Sequence, residues 1–182
     1  TVAVLDTGVL LTHPDLAAGI ARKANGDIDG YDFVSVGPTG APRQRTKDPT
    51  DPGTSDDIWS SGLHGTHVSG IIGARGNNML GIAGVCWDCR ILAARVLGVG
   101  DEASGRKGGT GLDSDIVDAL RWVGGAAIGP LAPPEKPAQV VNLSFGGGRL
   151  SFTVKQAVDE LIHKGISVVA AAGNNGMDTT GG

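Results

Sequence analysis

The chain opens almost at once on VAVLDTG, residues 2–8, whose first four residues form a continuous apolar run. A continuous apolar run of this kind is typical of a strand that is covered on both faces, as strands of parallel sheets are. The run ends at Asp6, and a carboxylate directly after a buried strand has two interpretations. It can cap a turn, or it can belong to a site at the carboxyl end of a parallel strand, where open α/β sheets place their ligands.

Further apolar runs follow along the chain and alternate with stretches of helical periodicity. Additional strands are predicted over residues 31–34, 90–97, 139–144 and 166–172. Helices are predicted from His64 to Ala74, between Asp113 and Gly124, and between Ser151 and Gly165. Strands that alternate with helices imply right-handed crossovers. The sequence therefore predicts an α/β fold with a mainly parallel sheet and helices on both faces.

Length and composition exclude several classes of protein. A chain of 182 residues is large enough to bury the core of one domain. The net charge of −4, with no basic block, argues against nucleic acid or an anionic membrane surface as a partner. No apolar run approaches the ~18 residues of a membrane span. Glycine accounts for 31 residues, well above the usual ~7%, which indicates tight turns or close approach of the backbone to a ligand.

The second informative stretch is HGTHVSG, residues 64–70, which carries two imidazoles. Imidazole exchanges protons near neutral pH, so His64 can be a general base. Alternatively, His64 and His67 could join Cys86 and Cys89 in a Cys2His2 zinc site. The zinc hypothesis leaves Asp6 and Asn174, the polar residues after the first and last strands, without a role. The two cysteines can equally close a small disulfide loop or remain as two thiols.

The general-base hypothesis leads to nucleophilic hydrolysis. Asp6 would hold His64 in one tautomer, and His64 would take the proton from a serine that attacks a carbonyl carbon. Asn174, after the last predicted strand, would donate its amide N–H to the oxyanion that develops in the transition state. The glycine-flanked segments 109–111 and 144–147 would be exposed edges to which a peptide adds as a strand.

An acidic loop lies between the second strand and the His64 stretch. Its carboxylates are Asp48, Asp51, Asp56 and Asp57. Clustered oxygen ligands on a loop can hold calcium. The composition favours the simpler interpretation, which is a solvated acidic loop.

Four segments of the chain resemble motifs of one family, the subtilisin-like serine proteases or subtilases. Residues 2–8 resemble the family's catalytic-Asp motif, and residues 64–70 resemble its catalytic-His motif. Further along the chain, residues 141–147 resemble its substrate-binding strand, and residues 170–174 resemble its oxyanion-Asn motif. The resemblance covers essentially the whole chain. It implies a three-layer, subtilisin-like fold, and it implies that residues 1–182 are a partial peptidase domain of a serine endopeptidase, truncated at both ends.

The resemblance also implies roles for individual residues. His67 is similar to a structural histidine of the family and would have no catalytic role. The catalytic residues would be Asp6, His64 and Asn174. The substrate cleft would be lined by Gly109, Thr110, Gly111, Ser144, Phe145, Gly146, Gly147, Ala172 and Gly173. A structural calcium ion would take side-chain oxygens and backbone carbonyls from Asp15, Gly76, Asn78, Leu80 and Ile82.

The nucleophile of the family lies in a G-T-S-x-A motif, and no serine of this chain lies in the complete motif. We expect the serine beyond the end of the chain, in the full-length protein. The alternative is a catalytically inactive subtilase-like protein that binds peptides. The resemblance further implies a secreted monomer with polypeptide substrates, an N-terminal propeptide as a candidate partner, and no organic cofactor.

Overall fold

The computed structural model describes residues 1–37, 40–53, 62–98, 109–146, 151–174 and 176. These residues form five strands and three helices. Their bounds in chain order are β1 Val2–Asp6, β2 Tyr31–Asp32, α1 His64–Gly73, β3 Ile91–Arg95, α2 Asp113–Val123, β4 Val140–Leu143, α3 Phe152–His163 and β5 Ser167–Ala170. No helix in this part of the chain is both long and apolar enough to cross a membrane.

The five strands form one parallel sheet in the order β2-β3-β1-β4-β5. The first strand of the chain is therefore the central one, with β3 on one side and β4 on the other. Its register pairs Asp6 with Arg95 on β3, and Leu5 with Leu143 on β4. This position explains the unbroken apolar run at the start of the sequence, because a central strand of a parallel sheet is covered on both faces.

Helices cover both faces of the sheet, as the sequence predicts. On one face, Val68 of α1 packs with Val4 and Ala93 of the sheet. On the other face, the core formed with α2 and α3 contains Leu5, and its largest side chain is Trp122, which is 1% exposed. The three-layer α/β architecture is thereby confirmed.

The four strands after β1 are two or three residues shorter than predicted. The second strand shows why, since its prediction ran to Val34 but β2 ends at Asp32. There the Asp32 side chain accepts a hydrogen bond from the Val34 N–H, and the Asp32 backbone pairs with Thr46. Polar side chains that bond the backbone locally end a strand where apolar composition alone would extend it.

The chemistry suggested by the sequence lies at one edge of the sheet. Because all strands are parallel, their carboxyl ends meet at the same edge, which is where α/β folds place their sites. β1 ends at Asp6, and β3, β4 and β5 lead into the segments that contain Gly109, Ser144 and Asn174. Asp6 lies at the centre of this edge because its strand is central.

Candidate functional site

The centre of the site is a contact between a buried carboxylate and a half-exposed imidazole. His64 Nδ1 lies 2.8 Å from Asp6 Oδ1. The Asp6 side chain is 1% exposed, whereas that of His64 is 47% exposed. Nδ1 of the ring is thus held by the buried carboxylate, and Nε2 is left for a second partner on the exposed side of the ring. The structure brings together the two residues that the sequence assigned to general-base chemistry.

The environment of Asp6 works against its charge. Burial raises the pKa of Asp6 above its ordinary value, and hydrogen bonds from the His64 ring and the Thr7 backbone N–H oppose this shift only in part. The other carboxylate oxygen, Oδ2, is buried and has no hydrogen-bond partner among the described residues. A buried carboxylate with one unpaired oxygen is costly to ionise, which makes the imidazole on Oδ1 its main compensation.

The start of α1 is fixed against the turn that follows β1. Leu63, directly before the helix, has a left-handed backbone with φ 51°. The Gly65 N–H donates to Thr7 Oγ1 at 2.9 Å, and the Leu10 N–H donates to Thr66 Oγ1 at the same distance. These bonds tie the residues on either side of Asp6 and His64 to each other. The first of these bonds satisfies a backbone donor at the helix start that has no partner within the helix.

Gly65 has no room for a side chain. A Cβ at this position would lie 2.1 Å from the Gly8 carbonyl oxygen, which is backbone and cannot move aside. We predict that Gly65→Ala destabilises the full-length protein by about 1–3 kcal/mol, the usual cost of forcing an extra carbon into a packed site.

The matched control is Gly70→Ala on the same helix, where a Cβ would meet only Ile82 Cδ1 at 3.9 Å. Alanine is the better helix former by about 1 kcal/mol, so this variant should be neutral or stabilising. Thermal unfolding measures both. Equal stability of the two variants would contradict the close approach of α1 to the Gly8 backbone.

Asp51, predicted as part of a solvated loop, is instead buried and 2% exposed. Its carboxylate accepts a hydrogen bond from the Thr7 hydroxyl at 2.5 Å and another from the Gly53 N–H at 3.0 Å. The solvated interpretation was therefore wrong for this residue, although Asp48 is exposed as predicted. Asp56 and Asp57 lie outside the described residues.

Two of the predicted substrate-binding segments follow the strands on either side of β1. Thr110 forms an antiparallel bridge with Gly98, in which the Gly98 N–H donates to the Thr110 carbonyl at 2.8 Å, and the Gly109 N–H donates to the Gly98 carbonyl at 2.9 Å. Gly111, next to it, is exposed, and a Cβ there would lie 2.6 Å from the Val96 carbonyl oxygen. Gly109 needs its left-handed backbone, with φ 72°.

The second predicted segment comes directly after β4. Ser144 accepts a hydrogen bond from the Asn142 side chain at 2.9 Å, which fixes the start of the segment. Phe145 is half-buried, and Gly146 is exposed. Gly147 lies outside the described residues. With the segment after β3, this segment flanks the end of β1, so the two segments lie on opposite sides of Asp6 along the sheet edge.

The predicted oxyanion donor lies at the same sheet edge but apart from the central pair. Ala172, Gly173 and Asn174 follow β5 and are exposed. No hydrogen bond joins Asn174 to Asp6 or His64 within the described part of the chain. An exposed amide that is free of the base is compatible with a donor that meets only a bound substrate.

The predicted calcium ligands form a loop that wraps closely around Asp15, which is 3% exposed. Asp15 accepts hydrogen bonds from the Asn78 side-chain amide at 2.7 Å and from the Ile82 N–H at 3.0 Å. The first of these is the main reason that the pKa of Asp15 is lowered. A Cβ on Gly81 would lie 2.3 Å from Asp15 Oδ2, and the Leu80 N–H donates to the Asn78 side-chain oxygen.

This donor set fits calcium in its chemistry, because the carboxylate of Asp15, the amide oxygen of Asn78 and the backbone carbonyls of Gly76, Leu80 and Ile82 are all hard oxygen ligands. In the present arrangement the nitrogen end of the Asn78 amide faces Asp15. The amide would have to turn to offer its oxygen to an ion. No cluster of three or more His, Cys, Asp or Glu side chains suited to a metal occurs in the described ranges.

The two cysteines form a disulfide, Cys86–Cys89, with Cα atoms 5.4 Å apart. The zinc hypothesis is therefore wrong, because sulfurs bonded to each other cannot act as thiolate ligands. In addition, Nδ1 of His64 already contacts Asp6, and His67 is exposed further along α1. Of the interpretations that the sequence left open for the two cysteines, the disulfide-closed loop is the one observed.

The sheet thus carries a carboxylate–imidazole pair at the carboxyl end of its central strand, and serine peptidases use such a pair together with a serine. The model of the Subtilase family of peptidases matches residues 1–182. The chain belongs to this family.

Named relatives agree with this family. The chain is 37% identical over 194 residues to the extracellular basic protease of Dichelobacter nodosus, an alignment that covers 98% of the chain and 29% of that protein. It is 37% identical over 178 residues to subtilisin BL of Lederbergia lenta, covering 98% and 49%. A Pseudoalteromonas arctica protease structure superposes with a TM-score of 0.76 at 37% identity, covering 96% and 49%. The chain thus spans half or less of the length of these relatives.

Proposed function

We propose that the full-length protein is a serine endopeptidase and that residues 1–182 form part of its peptidase domain. The observation that carries this proposal is the 2.8 Å contact between the buried Asp6 carboxylate and the half-exposed His64 ring. A charge-stabilised imidazole that is open on one side is the arrangement a general base needs. Membership of the subtilase family supports the same reaction class.

In the proposed reaction, Asp6 accepts the Nδ1–H hydrogen bond and keeps the Nε2 lone pair of His64 facing the substrate side. His64 Nε2 takes the hydroxyl proton of a serine as its oxygen attacks the peptide carbonyl, and returns that proton to the leaving amine. Asp6 stabilises the imidazolium between these two steps. We place the serine in the part of the protein outside these 182 residues, since no serine here lies in the family's complete nucleophile motif.

The substrate would be a polypeptide bound in extended form. Segments 109–111 and 144–147, whose described residues lie on opposite sides of Asp6, would offer backbone groups to the main chain of the substrate. Ala172 and Gly173 would line the cleft, and Asn174 would donate its side-chain N–H to the oxyanion. Such a donor acts on charge that is present only in the transition state, and therefore raises kcat.

The alternative is a catalytically inactive subtilase that binds peptides, and peptide hydrolysis by the full-length protein distinguishes the two. The full-length protein should hydrolyse casein and a chromogenic peptide, with products that increase linearly with time. Saturable binding of the peptide without any cleavage would overturn the peptidase proposal in favour of the inactive binder. The open imidazole on a buried carboxylate favours the enzyme, because peptide binding alone does not require it.

We further propose that calcium binds the loop around Asp15, with Asn78 and the carbonyls of Gly76, Leu80 and Ile82 as the other ligands. Removing calcium from the full-length protein with a chelator should then lower Tm by roughly 5 °C or more, since a bound ligand stabilises only the folded state. The variant Asp15→Asn should lose this calcium dependence, whereas Asp48→Asn, on an exposed loop, should keep it. An unchanged Tm after chelation would contradict the site.

We propose that the protein is secreted and works as a monomer. The Cys86–Cys89 disulfide supports this location, because disulfides persist in oxidising compartments. Relatives named as extracellular proteases support it as well. Polypeptides would be its main partners, together with an N-terminal propeptide. The net charge of −4 gives no support to a role with nucleic acid.

A further inference from the structure

A buried polar chain leads from the acidic loop to the helix that carries His64. The Thr7 hydroxyl donates to Asp51 Oδ2 at 2.5 Å, and the Gly65 N–H donates to Thr7 Oγ1 at 2.9 Å. Thr7 is 1% and Asp51 2% exposed, so water does not compete for these groups. Thr7 directly follows Asp6 and Gly65 directly follows His64. The chain therefore joins the two neighbours of the candidate pair.

The direction of the Thr7 hydroxyl proton decides whether this chain can form. A hydroxyl has one proton and two lone pairs. While its proton points to the Asp51 carboxylate, a lone pair is available for the Gly65 N–H. Without an acceptor at Asp51 the hydroxyl proton would have no fixed direction, and the lone pair that faces the Gly65 N–H would no longer be held in place.

Asp51 is itself held rigidly against the turn after β1. The Val9 N–H donates to the Pro49 carbonyl at 3.1 Å, and the Asp51 N–H donates to the Val9 carbonyl at 3.3 Å. A Cβ on Gly8 would lie only 2.6 Å from the Pro49 carbonyl oxygen, so the two backbones are in direct contact. An acceptor fixed in this way can hold the hydroxyl of Thr7 in one orientation.

We propose that Asp51 is a positioning residue for the Asp6–His64 pair. It orients the Thr7 hydroxyl, Thr7 anchors the start of α1 through the Gly65 N–H, and this anchor sets the contact between the His64 ring and Asp6. The inference rests on the proposed peptidase function. It adds a residue from the acidic loop that touches neither the substrate nor the reacting atoms.

The variant Asp51→Asn tests the proposal in the full-length protein. Both carboxylate oxygens of Asp51 accept hydrogen bonds, from Thr7 and from Gly53. An amide of the same shape has only one acceptor end, so it cannot accept hydrogen bonds from both of these donors. We expect kcat to fall between roughly 10- and 100-fold with KM unchanged, because the base is displaced while the cleft is not.

The matched control is Asp48→Asn, the same chemical change in the same loop. Asp48 is exposed, and its carboxylate accepts hydrogen bonds only from Thr50 among the described residues. This variant should keep the wild-type kcat and KM. Equal kcat values for Asp51→Asn and Asp48→Asn, in a wild-type background that cleaves peptide, would overturn the positioning role.

A second pair of variants serves if Asp51→Asn does not fold. Thr7→Val keeps the shape of the side chain but removes the hydroxyl, and it should lower kcat to the same extent. Thr7→Ser keeps the hydroxyl and should restore kcat to within about threefold of wild type. Loss of activity in Thr7→Ser equal to that in Thr7→Val would mean that packing, and not the hydroxyl, fixes the helix.

A readout independent of turnover separates this inference from the proposed function. Nitrogen-15 NMR of the His64 ring reports which nitrogen carries the proton. In wild type and Asp48→Asn, the proton should reside on Nδ1 facing Asp6, and in Asp51→Asn this tautomer should lose population. If the protein proves inactive but this difference is observed, the positioning role stands and the peptidase proposal fails. An identical ring spectrum in all three proteins would overturn the positioning role.

Discussion

Replacing Asp6 with Asn in the full-length protein is expected to lower kcat by about 10⁴-fold, a magnitude taken from the triad aspartates of known serine proteases, subtilisin among them. The physical reason lies in the 2.8 Å contact of Asp6 Oδ1 with His64 Nδ1. An amide at this position can turn its NH2 group toward the ring and favour the wrong tautomer. The measurement is turnover of a chromogenic peptide. A loss of less than tenfold would mean that Asp6 does not hold the base.

The same substitution should stabilise the fold near neutral pH. Burial raises the pKa of Asp6, so the folded state disfavours the ionised form relative to the unfolded chain. The contribution of Asp6 to stability is therefore complete below its unfolded pKa and is lost as the pH rises through the raised folded pKa. An asparagine carries no charge, and it avoids this loss.

Thermal unfolding should be compared in the His64→Ala background, where the protein cannot digest itself. Asp6→Asn should raise Tm at about pH 7, and the difference should shrink toward about pH 4, near the ordinary carboxyl range. Removing His64 also removes a hydrogen bond that opposes the shift, so the stabilisation should be larger in this background. A lower Tm for the Asn variant at both pH values would contradict the burial cost assigned to Asp6.

Replacing His64 with Ala should have the largest effect of all, a loss of about 10⁶-fold in kcat, which is again the magnitude known for a family member. His64 is the group that moves the proton in the proposed mechanism, and no other described imidazole contacts Asp6. KM should change little, because the ring is not part of either cleft segment.

His67→Ala is the matched control, since it removes an imidazole one turn further along α1. His67 lines a cavity of about 460 Å³ together with Leu10, Leu16 and Ile82, away from the Asp6 carboxylate. The variant His67→Ala should change Tm and should leave kcat close to the wild-type value. A loss of activity in His67→Ala comparable to that in His64→Ala would refute the assignment of different roles to the two histidines.

The strands, Asp6 and His64 could each be predicted from local patterns, and the pairing of Asp6 with His64 across 58 positions was predicted from the chemistry of a general base and the resemblance of the two motifs to one family. The apolar run predicted β1, and the position of Asp6 at the carboxyl end of that strand predicted a site residue. The small residues after His64 indicated a helix pressed closely onto the sheet, and the backbone contact of Gly65 with Gly8 is that close approach. In both cases the signal lies within a few residues of the feature.

The burial of Asp51 and its contact with Thr7 could not be predicted, because no local pattern links residues 44 positions apart in the chain. Proline, glycine and acidic residues around it have the composition of a solvated loop, and Asp48 in the same loop is exposed. Only the folded chain shows which carboxylate turns inward to Thr7. The state of Cys86 and Cys89 was open for a similar reason, since the spacing is compatible with a disulfide, thiols or a metal site.

The most direct test of the Asp6–His64 base is the reaction of the full-length protein with a fluorophosphonate, which modifies a serine only when its hydroxyl is activated. Mass spectrometry should find one modified serine, outside residues 1–182, in wild type and in His67→Ala. It should find no modification of that serine in His64→Ala over the same time. No modified serine in wild type, or labelling of His64→Ala at the wild-type rate, would contradict the account.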